Sequence, residues 1–196
     1  MIQIDRTFSE SVERAVRRAE GGTSAELIVV IAARSGPYLD VALGVGAVCA
    51  AASLLVALFA RSWFPPVAVA IEVPLVFVAA TWIAHRSPPL LRALAPASRR
   101  KRQVERAAAS HFLDESVHGT RGRTGLLIYV SRLEERVALV PDLGLTGIVA
   151  PAAWETARSA ADVVRGIEEI GALLRTRLPG GPGDANESAD TPRFVS

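Results

Sequence analysis

The chain has 196 residues, an apolar fraction of 50%, a mean hydropathy of +0.29 and a formal charge of only +2. So small a charge gives no reason to expect nucleic acid as a partner. A single cysteine, Cys49, excludes an intrachain disulfide, and His85, His111 and His118 show no metal-ligand spacing.

The apolar excess is concentrated between Leu39 and Ala84, and what remains suffices for one modest core. Met1–Gly22 is charged and lacks the apolar stretch of a signal peptide. Thr7 and Glu10 have the spacing of a capping box. Phe8, Val12, Ala15, Val16 and Ala19 then recur at helical spacing until Gly21-Gly22. Leu27–Ala32 is a continuous, β-branched apolar run of strand length, as expected for a strand buried on both faces. Ser35-Gly36-Pro37 breaks it.

Val41–Ala60 is 20 residues without a charge, about the length a helix needs to span a bilayer core. Arg61-Ser62 makes a short turn. Trp63–Ala84 carries one charge, Glu72, with Pro65 and Pro66 in its first turn, where proline is tolerated. Trp63 and Trp82 stand 19 residues apart, roughly 28 Å along a helix, the spacing of two interfacial aromatic belts. The pair reads as a transmembrane hairpin over 38–86, with helices at about 39–60 and 63–84. Two buried helices of a soluble core are the bland alternative, but helices with no polar face need a larger protein around them.

A basic juxtamembrane linker, 87–103, follows, with Pro88-Pro89 and Arg99-Arg100-Lys101-Arg102. A helix to about Val117 places Val104, Ala108 and Phe112 on one face. Leu126–Val130 is a second buried strand, Arg132–Glu135 a polar turn and Arg136–Val140 a third strand, together an antiparallel hairpin. Trp154, Ala157, Ala161 and Val164 mark one further helix, and Ile167, Ile170, Leu174 and Leu178 another. Residues 179–196 are rich in Gly, Pro, Asp and Ser and read as a disordered tail, dispensable for folding. The soluble part is therefore expected to be split into 1–37 and 104–178.

A hairpin returns the chain to the side it left, so the two soluble parts share a compartment. The inter-helix turn holds only Arg61, whereas the flank after the second helix holds Arg86, Arg92, Arg99, Arg100, Lys101, Arg102 and Arg106. The positive-inside rule then predicts a cell-membrane protein, both termini cytoplasmic. Membrane lipid is an expected partner, through the hairpin and through Arg99, Arg100, Lys101 and Arg102, worth about 1 kcal/mol per basic residue near an anionic surface. The bland alternative makes the cluster a topology signal alone.

No catalytic motif is present, whether a Walker loop, a CxxC pair, HExxH or GxSxG. Glu72 is the one intramembrane ionisable residue, costly at that depth by roughly 2.5–3.5 kcal/mol. It suits either an ion- or proton-linked role or a carboxyl bonded within the hairpin. A candidate ligand- or partner-binding edge follows from strand direction. The start of the second strand, Thr120–Gly125, lies beside the end of the third, Pro141–Gly147. If the first strand is parallel to the second, Glu26 joins them, on the side away from the bilayer. Glu26, Arg121, Arg123, Thr124, Asp142 and Gly144 then share one edge, where two arginines and loop N–H groups suit an anion. Tight turns with solvated arginines are the alternative.

Ser24–Val30, Tyr38–Leu43, His118–Ser131 and Glu135–Val140 together resemble bacterial multi-pass membrane proteins carrying a TPM domain, a family that includes thylakoid-lumen photosystem repair proteins. The resemblance implies an α/β sandwich with a small central sheet flanked by helices, a phosphatase label, and divalent metal held by acidic loop residues. Here Arg123-Thr124-Gly125 stands where many members have an acidic residue, and Asp142 remains. One carboxylate beside two arginines is a poor site for a hard cation, so no metal ligand and no resident cofactor are assigned. The expected function is a membrane-anchored, non-enzymatic module that assembles or modulates a membrane protein complex, by self-association or with another membrane protein. A weak phosphatase is the first alternative and an ion- or proton-linked component using Glu72 the second.

Overall fold

The computed structural model describes residues 6–59, 65–150, 154–180 and 191–195, and the backbone alone of Arg121. It divides into one unit formed by residues up to Gly36 together with those from Arg100 onward, and a second formed by Pro37–Arg99.

The first unit is a mixed α/β structure. Its helices are α1 (Arg6–Glu20), α5 (Ala97–Asp114), which begins just before the boundary, and α6 (Ala160–Arg177). Its strands are β1 (Glu26–Ala32), β2 (Gly125–Ser131), β3 (Arg136–Pro141) and β4 (Arg193–Val195). Among the described residues they form one four-stranded sheet in the order β3-β2-β1-β4. β1 is parallel to β2, with Glu26 opposite Gly125, and β2 is antiparallel to β3.

The apolar runs of β1 and β2 are continuous because both sheet faces are covered. Leu27, Val29, Ile31, Leu126, Ile128 and Val130 pack with Val12 and Val16 of α1 and Ile167, Ile170 and Leu174 of α6. The alternate residues Ile28, Val30, Leu127 and Tyr129 pack with Val104 and Ala108 of α5. Burying alternate side chains on opposite faces is what a sheet between helix layers requires.

Three expectations are corrected here. The Thr7–Glu10 pair does not start α1, which already runs from Arg6. Thr7 lies inside the helix, and its carbonyl accepts from the Ser11 hydroxyl at 2.7 Å. The two helices expected after residue 153 are one. Ser159 and Asp162 form a reciprocal capping box that starts α6 at Ala160, and the hydrogen bonds from Ser159 hold the Asp162 carboxyl below its ordinary range. Trp154 and Ala157 precede the helix, in an extended stretch along β3 where Val137 N–H donates to the Glu155 carbonyl at 3.0 Å. The indole of Trp154 packs over Gly166, so it reaches the core without belonging to the helix whose spacing it fits.

The third correction concerns the tail. Pro179 bridges Thr23, Gly180 N–H donates to Gly22 at 3.0 Å, and Arg193–Val195 pairs parallel to β1. An apolar pair, Phe194-Val195, next to an uncovered strand edge has backbone bonds and burial to gain, which the polar composition upstream conceals. Residues 181–190 lie outside the described residues.

The second unit holds α2 (Leu39–Phe59), α3 (Pro66–Arg86) and the short α4 (Pro88–Leu94), within the stretch expected to be a linker. α2 and α3 are long and apolar enough to cross a membrane, with mean hydropathies of 2.4 and 2.2 over their most apolar windows. Within α2 the buried residues are small, Ala42, Gly46 and Ala50. A Cβ on Gly46 would stand 2.8 Å from the Phe77 carbonyl, so the two backbones approach closely, as apolar hairpins do through small residues. The large apolar side chains point outward: Phe59 is 82% exposed, Val67 71% and Leu58 68%. Glu72 accepts a hydrogen bond from Ser53 across the hairpin at 3.0 Å.

Candidate functional site

The start of β2 and the end of β3 share an edge with the start of β1, as strand direction requires. Glu26 N–H donates to the Thr124 carbonyl at 3.2 Å, and the Thr124 hydroxyl donates to the Ser24 carbonyl at 2.7 Å. Asp142 N–H donates to the Gly125 carbonyl at 2.9 Å. Glu26, Arg123, Thr124, Asp142 and Gly144 are thus brought together. Arg121 belongs to the same turn, Arg121–Arg123, by its backbone. The edge lies at the opposite end of β1 from Ser35-Gly36, where the chain leaves this unit.

The glycines here permit close approach. Gly122 is left-handed at φ 74° and Arg123 follows at φ 58°, a conformation that is uncommon for a residue with a Cβ. A Cβ on Gly144 would stand 2.6 Å from the Gly122 carbonyl oxygen and 2.8 Å from that of Arg123. Gly144 therefore lets the two loops touch.

The arginines were expected to be open to an anion. Arg123 is half exposed and engages a carboxylate through one nitrogen. Its Nε lies 3.1 Å from Asp142 Oδ1 and 2.9 Å from Oδ2. Asp142 is only 3% exposed, and its Oδ1 also accepts from Leu143 N–H at 2.8 Å. A buried carboxylate is retained only if paired and hydrogen-bonded, so Arg123 and Asp142 lash the loops together. The same geometry bears on a divalent metal. Asp142 Oδ1 already accepts from Arg123 and from Leu143 N–H, Oδ2 stands beside the same guanidinium without a hydrogen bond among the described residues, and a hard cation wants several oxygens and no adjacent cation. These residues do not fit one. Among the described residues no three His, Cys, Asp or Glu side chains converge.

The basic cluster is likewise partly committed. Arg99 forks onto Asp40, with Nη1 2.5 Å from Oδ2 and Nη2 2.8 Å from Oδ1, and donates to the Pro37 carbonyl at 3.1 Å. Its guanidinium lies over the Tyr38 ring, 5.4 Å from the centroid. Lys101 stands 3.5 Å from Glu155 and 3.9 Å from Glu105, and with Arg136 and Leu139 lines a recess of about 90 Å³.

Two features escaped the sequence reading. The Thr120 hydroxyl at the candidate edge is buried and makes no hydrogen bond among the described residues. At the other end of the sheet, Glu134 is 1% exposed. It accepts from Ser35 N–H at 3.1 and 3.3 Å and from the buried Ser131 hydroxyl. Ser35 also meets the Tyr129 hydroxyl at 3.3 Å, and His111 stacks on the Tyr129 ring at 5.4 Å. Burial pushes the Tyr129 phenol above its ordinary value, against the Ser35 bond, which lowers it. Ser131 three residues before Glu134, at the end of an apolar strand, was the signal available.

No family model matches the sequence, and no curated protein does. A solved structure is similar in fold, the NMR structure of BA42 protein from the psychrophilic bacterium Bizionia argentinensis, at 16% identity and a TM-score of 0.55. The match covers 97% of this chain and 94% of that one.

Proposed function

We propose that this chain is a membrane-anchored, TPM-like module that assembles or modulates a membrane protein complex, with α2 and α3 spanning the bilayer and both soluble parts in the cytoplasm. One observation carries the reading. β1, before the hairpin, is hydrogen-bonded along its whole length to β2, after it. A sheet is not assembled across a bilayer, which supports α2 and α3 entering and leaving on the same side. The outward apolar side chains of both helices support lipid as their surroundings, since a soluble core helix would bury them. With Arg99 held by Asp40 and Arg100 half-buried, the exposed Arg102 is left as the arginine of the cluster best placed to meet anionic headgroups.

The binding edge supports a partner surface better than a catalytic centre. Its one buried carboxylate is occupied by Arg123, and Leu143 beside it is 71% exposed. Glu72, bonded to Ser53, suits a lock within the hairpin better than an ion path. A photo-reactive amino acid at Leu143, introduced in native membranes, is expected to give one adduct of reproducible mass; at Arg132 it is expected to give none. Hydrolysis of an aryl phosphate by the solubilised protein, abolished by Asp142→Asn and without any Leu143 adduct, would instead establish the phosphatase.

A further inference from the structure

The outer edge of β1 is only half covered. β4 pairs with its last three residues, Val30 opposite Arg193, Ile31 opposite Phe194 and Ala32 opposite Val195, and Ala33 N–H donates to the Val195 carbonyl at 3.0 Å. Toward the start of β1 the outward amide of Leu27 is met by the Glu20 carboxylate, at 3.0 Å, in place of a strand. An exposed strand edge is a template for pairing, and proteins cover such edges. Here the cover is three residues, Arg193–Val195.

Those three residues carry a recognition pattern. Arg193 forms an ion pair with Glu115, whose side chain is only 10% exposed. Val195 packs into the apolar cluster on the α5 face of the sheet. Phe194, on the other face, is 43% exposed. Main-chain bonds give such a contact affinity, and alternate side chains give it specificity. Twelve residues of sequence, 181–192, join this segment to Gly180, which is fixed to Gly22. A linkage that short holds the segment at an effective concentration near the millimolar range, so the edge stays closed to dilute competitors.

We propose that the edge of β1 is a strand-addition site for an extended peptide of the pattern basic, aromatic, β-branched, and that Arg193–Val195 is its intramolecular occupant, shutting the site until a partner segment of that pattern displaces it. The ladder over Val30–Ala32 would be common to both, and the stretch toward Leu27, where the Glu20 carboxylate stands in for a strand, would pair only with a longer partner strand that displaces it.

The test uses a fluorescent peptide of residues 189–196 and two detergent-solubilised proteins, the full chain and the chain ending at Gly180. The shortened protein is expected to bind the peptide saturably, and the full chain at least tenfold more weakly. A peptide carrying Arg193→Glu is expected to lose at least tenfold in affinity and to regain it on shortened protein carrying Glu115→Arg. Equal binding to both proteins, no binding to a shortened protein with unchanged thermal unfolding, or failure of the charge swap would overturn the proposal. Should the shortened chain not fold, hydrogen exchange in the full chain decides. Arg193→Glu is expected to speed exchange of the Ala33 amide at least tenfold while leaving β2 unchanged, and an unchanged Ala33 rate would refute the site.

Discussion

Replacing Glu134 by Ala is expected to cost about 3 kcal/mol of stability, a large part of what holds a domain of this size together. Glu134 is the acceptor for two donors, the half-buried Ser35 amide and the fully buried Ser131 hydroxyl. Removing the carboxylate orphans the Ser131 hydroxyl, at about 1–3 kcal/mol, and loses the charge-assisted bond to the Ser35 amide as well. The effect reaches beyond the turn, because Ser35 belongs to the segment before the two apolar helices and Glu134 to the one after them. Glu134→Gln keeps an acceptor oxygen but turns an NH₂ group toward the other donor, so an intermediate loss is expected. Denaturant unfolding of the solubilised protein reads both, with Glu169→Ala, at an exposed site, as the neutral control. A Glu134→Ala protein as stable as the control would show that the carboxylate is not the organising group of this turn.

Gly171→Val is expected to be comparably damaging, for a steric reason. A Cβ at Gly171 would fall 2.5 Å from both Cα and Cβ of Ala19, so α1 and α6 touch nearly backbone to backbone. Overfilling such a contact costs typically about 1–3 kcal/mol, and valine adds two further methyl groups to the clash. Gly171→Ala separates this account from a simple propensity effect. Alanine in a helix interior is intrinsically better than glycine by about 1 kcal/mol, yet here it is expected to destabilise, and Ala19→Gly in the same protein should restore much of the loss. Stabilisation by Gly171→Ala in thermal melts would mean that the helices are not so close.

The elements legible in the sequence were those whose burial leaves a periodic signature. The Leu27–Ala32 and Leu126–Val130 runs are continuous because helices cover both faces of the sheet, and the Phe8–Ala19 pattern shows the face α1 turns to it. The helices of the hairpin were legible from length and lack of charge alone. The direction of β1 relative to β2 had to be assumed, since no local pattern distinguishes parallel from antiparallel pairing. What was hidden depended on contacts between residues distant in sequence. Trp154 fits a helical repeat but reaches the core from an extended strand, and the tail finds its place only because β1 has an open edge. At the candidate edge the strand order brings Glu26, Arg123, Thr124, Asp142 and Gly144 near one another. Spacing cannot reveal that Asp142 is buried, and so could not show that Arg123 pairs with it.

The central claim, a bilayer-spanning hairpin with both soluble parts on the cytoplasmic side, is tested most directly by site-specific labelling in intact cells. With Cys49→Ala as background, single cysteines are placed at Ser62, between the two apolar segments, and at Glu169, on an exposed face of α6. A membrane-impermeant maleimide added to whole cells is expected to label position 62 and to spare position 169 until the membrane is permeabilised. Labelling of 169 and protection of 62 would invert the topology, and equal labelling of both in a soluble fraction would remove the hairpin from the membrane altogether.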